Sequence, residues 1–158
     1  MTTCCMTGHR IIKTEHKDKL KPSLLNVISK LYDRGVKNFV VGGALGFDML
    51  AERCIIEFRE NHLDVRLIIY APCKNQALKW SDEEKREYER LLSCADEVLY
   101  LTDTYYDGCM IDRNRRMVDM ADVCIGYIYK QRSGAYSTMN YAKRQGLHVM
   151  NLVKNEFF

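Results

Sequence analysis

Short apolar runs rich in β-branched and aromatic residues alternate with helix-like segments along this chain of 158 residues. Two clear runs are NFVV at 38–41 and VCIGYIY at 123–129, whereas the intervening segments place apolar residues three and four positions apart. This alternation is typical of parallel strands that are joined by crossover helices. We therefore predict an α/β fold: a doubly wound, mostly parallel, Rossmann-like sheet with helices on both faces, in a single domain over residues 1–158.

The predicted elements follow one another in β–α order. Six strands are expected, at Thr2–Met6, Asn38–Val41, Val65–Tyr70, Glu97–Leu101, Val123–Tyr129 and His148–Val153. Five helices are expected, at Ser23–Arg34, Phe47–Glu60, Ser81–Ser93, Asp112–Met120 and Gly134–Gln145. Ser81 and Glu84 have the spacing of a capping box, and Gly35 and Gly146 suit helix ends. Asn155–Phe158 would form a frayed tail or a docking segment.

Composition excludes several classes of protein. Lys and Arg number 24 against 21 Asp and Glu, and this net charge of +3 disfavours nucleic acid as a partner. No apolar run reaches about 18 residues and the N-terminus lacks a signal-peptide pattern, so we expect no membrane association and a cytoplasmic location. The seven cysteines are irregularly spaced without a CxxC pair, which predicts reduced thiols and no metal site.

In an open α/β sheet, ligands bind beyond the carboxyl ends of the strands, so the turns at those ends are the candidate sites. The first turn reads Thr7-Gly8-His9-Arg10: glycine permits a close backbone approach and the guanidinium suits phosphate or carboxylate, although a plain polar turn is the alternative. The second, Gly42-Gly43-Ala44-Leu45-Gly46-Phe47-Asp48, is a candidate phosphate cradle at a helix start. Asp48 either caps this helix, binds a ribose hydroxyl or acts as an acid or base.

The later turns add an aromatic ring, a cation and hydroxyl groups. Trp80 either stacks on a base or plugs its loop against the core. Arg113 with Asn114 either faces an anion or belongs to a solvated basic helix. Ser133 opens the turn before the last predicted helix, which is a second candidate anion site. Further candidates to line a base pocket are Tyr105, Tyr106 and Tyr136.

Five segments together resemble the YpsA-like branch of the SLOG superfamily, a Rossmann-like group that includes DprA-type proteins and LOG-type phosphoribohydrolases. They are TGHR, GGALGFD, the loop that contains Trp80, RNRRMVDMAD and SGAYSTMNYA, which occur in this order over nearly the whole chain. The resemblance implies a pocket for a nucleotide or an ADP-ribose-like ligand, no required cofactor, and a soluble protein that could be a homodimer. Together with Trp80 and the turn residues above, it indicates these ligand-binding candidates: Gly8, His9, Arg10, Gly42, Gly43, Ala44, Gly46, Asp48, Trp80, Arg113, Asn114, Ser133, Gly134 and Thr138.

The chain departs from the LOG-type pattern at the catalytic position. Those enzymes carry PGGxGTxxE with a catalytic glutamate, whereas the corresponding stretch SGAYSTMNY has Tyr141 three residues after Thr138. Cleavage of an N-glycosidic bond needs a carboxylate, for which Asp48 is the candidate. We therefore expect ligand binding or sensing, with a hydrolase of nucleotides or ADP-ribose derivatives as the alternative and a DprA-like single-stranded DNA-binding module as the weaker one.

Overall fold

In the computed structural model, which describes residues 1–154, six strands form one sheet in which every neighbouring pair is parallel. The strands are β1 (Thr3–Gly8), β2 (Asn38–Val41), β3 (Arg66–Cys73), β4 (Glu97–Thr102), β5 (Val123–Tyr127) and β6 (His148–Asn151). Their order across the sheet is β4-β3-β2-β1-β5-β6. The chain therefore winds outward from β1 in one direction and then crosses back to β5, which makes the β1/β5 boundary the topological switch point.

Five α-helices connect the strands, and a 3₁₀ turn at Thr14–His16 precedes the first. They are α1 (Lys17–Asp33), α2 (Phe47–Arg59), α3 (Asp82–Cys94), α4 (Cys109–Asp119) and α5 (Gly134–Arg144). The first three pack side by side on one face of the sheet, and α4 packs against α5 on the other. The predicted doubly wound, Rossmann-like fold class is confirmed.

Alternating strand residues fill two apolar layers. Phe39, Val41 and Ile69 pack beneath α1–α3, whereas Val40 and Ile68 point toward α4 and α5. Both faces of a parallel sheet are covered by helices, which is why these strands read as continuous apolar runs. The seven cysteines are free thiols, and six of them are buried as small core residues.

Several boundaries differ from the sequence prediction. Helix α1 begins at Lys17 rather than Ser23, although this places Pro22 inside the helix. Pro22 cannot donate to the carbonyl four residues earlier, but that carbonyl belongs to the exposed first turn. Strand β3 runs through Pro72 to Cys73. The proline has no N–H to donate, but none is needed at this position because β2 pairs with β3 only as far as Ile69. Helix α4 begins three residues earlier than expected, after Gly108, which takes a left-handed conformation.

The remaining boundaries coincide or shift by one or two residues, with β1 extending to Gly8 and β5 ending at Tyr127. The capping box of α3 is present, with Ser81 Oγ accepting from Glu84 N at 3.1 Å. No helix within residues 1–154 is long and apolar enough to cross a membrane. The predicted tail at Asn155–Phe158 lies outside the described residues.

Candidate functional site

The turns after β1 and β2 are packed directly against each other at the carboxyl edge of the sheet. Phe47 N donates to the His9 carbonyl at 3.1 Å. A Cβ on Gly8 would lie 2.5 Å from the Phe47 ring, and a Cβ on Gly46 would lie 2.0 Å from the Arg10 carbonyl oxygen. Gly46 also has a positive φ of 77°. These two predicted ligand-binding glycines thus permit one loop to approach the other.

His9 joins the two sides of the switch point. Its Nε2 accepts hydrogen bonds from Tyr129 N at 2.9 Å and Lys130 N at 3.3 Å, so the ring is neutral and carries its proton on Nδ1. Burial, and then the nearby Lys130, lower the pKa of His9, which favours this neutral form. His9 therefore fixes the loop that follows β5.

Arg113 is buried and reaches from α4 to the ends of two strands. Its Nη1 donates to the carbonyls of Gly42 at 2.5 Å and Tyr70 at 3.0 Å, and its Nε donates to Asn114 Oδ1 at 2.8 Å. A Cβ on Gly42 would lie 2.7 Å from the guanidinium carbon. Of the two alternatives for Arg113, the solvated basic helix is not what the structure has, because the side chain is buried and its guanidinium binds backbone carbonyls.

Two carboxyl groups lie buried one helical turn apart on α2. Asp48 Oδ2 accepts from Ala44 N at 3.1 Å, which is a capping interaction at the helix start. Asp48 Oδ1 and both carboxyl oxygens of Glu52 have no hydrogen-bond partner among the described residues. Burial raises the pKa of Asp48 to about 6, against the opposing charge of Arg113. Burial and the Asp48 charge raise the pKa of Glu52 well above its ordinary value.

The hydroxyl groups before and within α5 are engaged with the backbone. Ser133 Oγ accepts from Tyr136 N at 3.1 Å and donates to the Lys130 carbonyl at 3.1 Å. Thr138 Oγ1 donates to the Gly134 carbonyl at 2.7 Å. Their hydrogen bonds thus cap and brace the helix, and no described atom lies within 4 Å of a Cβ built on Gly134.

An open cleft of about 390 Å³ lies beyond the ends of β1, β3 and β4, and we call it the Trp80 cleft. Trp80 forms one wall and packs edge-on against Tyr88, with ring centroids 5.2 Å apart. One part of the Trp80 side chain therefore faces the cleft, and another part packs against Tyr88. Its lining residues are Arg10, Asn75, Gln76, Leu78, Lys79, Trp80, Tyr105 and Met110.

A second cleft, of about 350 Å³, lies beyond β5 and β6, and we call it the Tyr129 cleft. Lys13 and Lys130 hold their ammonium groups 4.6 Å and 5.6 Å from the centroid of the Tyr129 ring. Tyr136 and Lys154 also line it. The predicted base-pocket tyrosines are therefore dispersed, because Tyr105 belongs to the Trp80 cleft while Tyr106 hydrogen-bonds Asp112 outside both.

The predicted site residues fall into three groups. Arg10 and Trp80 line one cleft, and a second group that contains Asp48 and Arg113 is buried under the turn after β2. The third group belongs to the start of α5. Sequence reasoning missed Glu52, whose signal is its spacing of four from Asp48, and it missed the amide pair Asn75 and Gln76, whose signal is their place in the Trp80 loop. Within residues 1–154 no cluster of His, Cys, Asp or Glu could hold a metal ion.

The model of the YpsA family, described as the YspA SLOG family, matches residues 5–153. The chain belongs to this family. It is 32% identical over 139 residues to the uncharacterized SPbeta prophage-derived protein YoqJ of Bacillus subtilis, covering 80% of this chain and 81% of YoqJ. A UPF0398 protein of Bacillus licheniformis is 25% identical over 131 residues, covering 77% and 72% of the two chains.

Two solved structures share the fold of this YpsA-family chain. DNA processing protein A from Helicobacter pylori, described for its single-stranded DNA binding mode, superposes with a TM-score of 0.67 at 20% identity. DprA from Streptococcus pneumoniae gives a TM-score of 0.70 at 17% identity. The match covers 94% of this chain in both cases, but 63% and 49% of those longer chains. The expectation that nucleic acid is not a partner gains no support from these neighbours.

Proposed function

We propose that this YpsA-family protein binds a nucleotide or a nucleotide-derived ligand of the ADP-ribose type in the Trp80 cleft. The observation that carries the proposal is the set of groups which line this one cleft. Trp80 offers a flat ring, Arg10 and Lys79 are cations, and Asn75 and Gln76 are amides. These groups correspond to the base face, the phosphates and the base edge of a nucleotide.

The size and position of the cleft support the same proposal. Its volume of about 390 Å³ lies within the range of roughly 300–1,000 Å³ that is common for small-molecule sites. It opens at the carboxyl ends of parallel strands, where α/β sheets bind their ligands. Arg10 is exposed, and its Nη2 lies 3.5 Å from the Met110 sulfur, so the guanidinium is available to an anion.

The lining favours binding over hydrolysis. None of the eight described residues that line the Trp80 cleft is an acid, and cleavage of an N-glycosidic bond uses carboxyl groups that reach the ligand. Asp48, the catalytic candidate, is 6% exposed and accepts a hydrogen bond from its own turn. A hydrolase role would require Asp48 to become exposed.

A thermal-shift titration tests the proposal. We expect ADP-ribose and AMP to raise the melting temperature, since a ligand at one hundred times its Kd stabilises the native state by about 2.7 kcal/mol. Arg10→Ala should weaken binding at least tenfold, because the phosphate loses its cation. The control is Arg34→Ala, an exposed arginine after α1 at the opposite edge of the sheet, which should leave the affinity unchanged.

The same titration separates the other readings. Chromatography of each mixture should return intact ligand, and the appearance of free base or ribose phosphate would establish hydrolysis instead. A DprA-like role is tested by adding a single-stranded oligonucleotide to the same assay. Binding of the oligonucleotide without binding of mononucleotides would favour the lysine-lined Tyr129 cleft. If neither mononucleotides nor ADP-ribose shift the transition, the proposal is wrong.

A further inference from the structure

The hydrogen bonds of Gln76 fix the direction of its side-chain amide. Nε2 lies 3.1 Å from the carbonyl oxygen of Gly43 and 3.0 Å from the hydroxyl oxygen of Tyr88. A carbonyl oxygen can only accept, so the atom that faces it must be the amide nitrogen. Both N–H groups are then engaged, and Oε1 is the atom left to a ligand.

No described residue donates to Gln76 Oε1, and this oxygen is absent from the buried polar atoms that lack a partner. It is therefore open to solvent in a residue that lines the Trp80 cleft. The Gln76 amide packs closely against the backbone, because Gly43 has a positive φ of 74° and a Cβ on Gly43 would lie only 3.2 Å from Gln76 Nε2. Gln76 thus presents a fixed acceptor.

Asn75, the preceding residue, presents the opposite group. Its Oδ1 accepts from Tyr105 N at 3.2 Å, and a backbone N–H can only donate, so the orientation of this amide is also determined. The Nδ2 group is the remaining polar group of an exposed side chain in the same cleft. One acceptor and one donor therefore stand on adjacent residues beside the Trp80 ring.

We propose that this pair reads the edge of a 6-aminopurine, so that the ligand of the Trp80 cleft carries adenine; the inference rests on the proposed nucleotide function. The exocyclic amino group of adenine would donate to Gln76 Oε1, and a ring nitrogen would accept from Asn75 Nδ2. Hypoxanthine and guanine place a carbonyl oxygen where adenine has its amino group. That oxygen would face Gln76 Oε1, so that two acceptors would be opposed and neither would have a donor.

AMP and IMP provide a matched pair of probes, because IMP replaces the exocyclic amino donor of AMP with a carbonyl acceptor and carries a proton on N1, where AMP has an acceptor. We expect the wild-type protein to bind AMP at least tenfold more tightly than IMP in isothermal titration calorimetry. Asn75→Asp keeps the acceptor for Tyr105 N and removes the donor, so AMP binding should weaken at least fivefold. The control Asn26→Asp changes an exposed asparagine on α1 and should have no effect.

The possible outcomes distinguish this inference from the function on which it rests. Equal affinities for AMP and IMP would overturn the adenine assignment while leaving nucleotide binding intact. Binding of neither nucleotide would contradict the proposed function itself. Gln76→Leu should bring the AMP/IMP ratio toward one, and an unchanged melting temperature of Asn75→Asp shows that its loss of affinity is not a loss of folding.

Discussion

At the scale of single residues, the buried charges beneath the turn after β2 determine how this edge of the sheet is built. Arg113 is 4% exposed, and Asp48 and Glu52 approach it from α2. A buried cation needs one counter-charge, and a second carboxylate there would be uncompensated. We therefore assign the negative charge to Asp48, which accepts a hydrogen bond from Ala44 N, and a proton to Glu52, whose carboxyl oxygens have no partner among the described residues and whose pKa burial raises well above its ordinary value.

This assignment predicts a specific pH dependence for Glu52→Gln. An unfolded glutamate loses its proton near 4.5, whereas folded Glu52 keeps it to higher pH, so stability falls as the pH rises through this interval. Glutamine cannot ionise, and the variant should gain stability relative to wild type between pH 5 and pH 8. Each unit of pKa difference is worth about 1.4 kcal/mol.

Urea denaturation at the two pH values measures this difference. The matched control is Glu89→Gln, an exposed residue of α3, whose free energy of unfolding should track that of the wild type. His9 acts in the opposite sense, because its lowered pKa weakens the fold as the pH falls below 6.5, but this contribution is common to all three proteins. Parallel pH profiles for Glu52→Gln and wild type would refute the buried proton.

The sequence leaves the direction of Arg113 open, because an arginine-rich helix is also compatible with a solvated basic face. Its partners could not be predicted. The carbonyls of Gly42 and Tyr70 come from the ends of β2 and β3, and only the strand order brings them beside α4. The sequence does not single out Glu52 either, because a glutamate within a helix is ordinarily solvent-exposed.

At the scale of elements, local signals were predictive where a few neighbouring residues decide the structure. Helix α3 begins where Ser81 and Glu84 place it, because the capping box is formed within four residues. The sequence predicts that α1 begins at Ser23, six residues late, since a proline is typical of a helix start and only the tertiary packing of Leu20 shows that the helix begins before Pro22. The glycine-rich turns can be located from the sequence, but the sequence does not show which of their glycines are needed for close packing.

Two of these glycines give a matched prediction. Gly46→Ala would place a Cβ 2.0 Å from the Arg10 carbonyl at a φ of 77°, and it should cost more than about 2 kcal/mol of unfolding free energy. Gly134→Ala meets no atom within 4 Å at the start of α5, and it should change stability by less than about 1 kcal/mol. Chemical denaturation of both variants checks the contrast.

Equal effects of the two alanine substitutions would contradict the packing that we describe between the turns after β1 and β2. A destabilised Gly134→Ala would show instead that the beginning of α5 requires a conformation which only glycine adopts. Only a mild effect of Gly46→Ala would change the assignment of Gly46 as a packing glycine.

At the scale of the whole molecule, the strand order decides which loops share a cleft. The sequence predicts that the candidate turns lie at one edge of the sheet, because parallel strands all end there. It does not give the lateral order, in which β1 lies between β2 and β5, so that the turn after β1 contacts both the turn after β2 and the loop after β5. Arg10, from the turn after β1, also lines the Trp80 cleft with the loops after β3 and β4. Within the motifs that carry the family resemblance, some residues such as Gly46 therefore pack the turns together, whereas Arg10 lines the Trp80 cleft.

The chain itself provides a reporter for the central claim, because Trp80 is its only tryptophan and lines the proposed cleft. Titration of ADP-ribose while the tryptophan emission is recorded is the most direct measurement, since stacking of a base on the indole alters its fluorescence. We expect a saturable change in emission that Arg10→Ala shifts to at least tenfold higher ligand concentration. An emission spectrum that stays constant while ADP-ribose binds would place the ligand elsewhere, and no binding at millimolar ADP-ribose would contradict the nucleotide site.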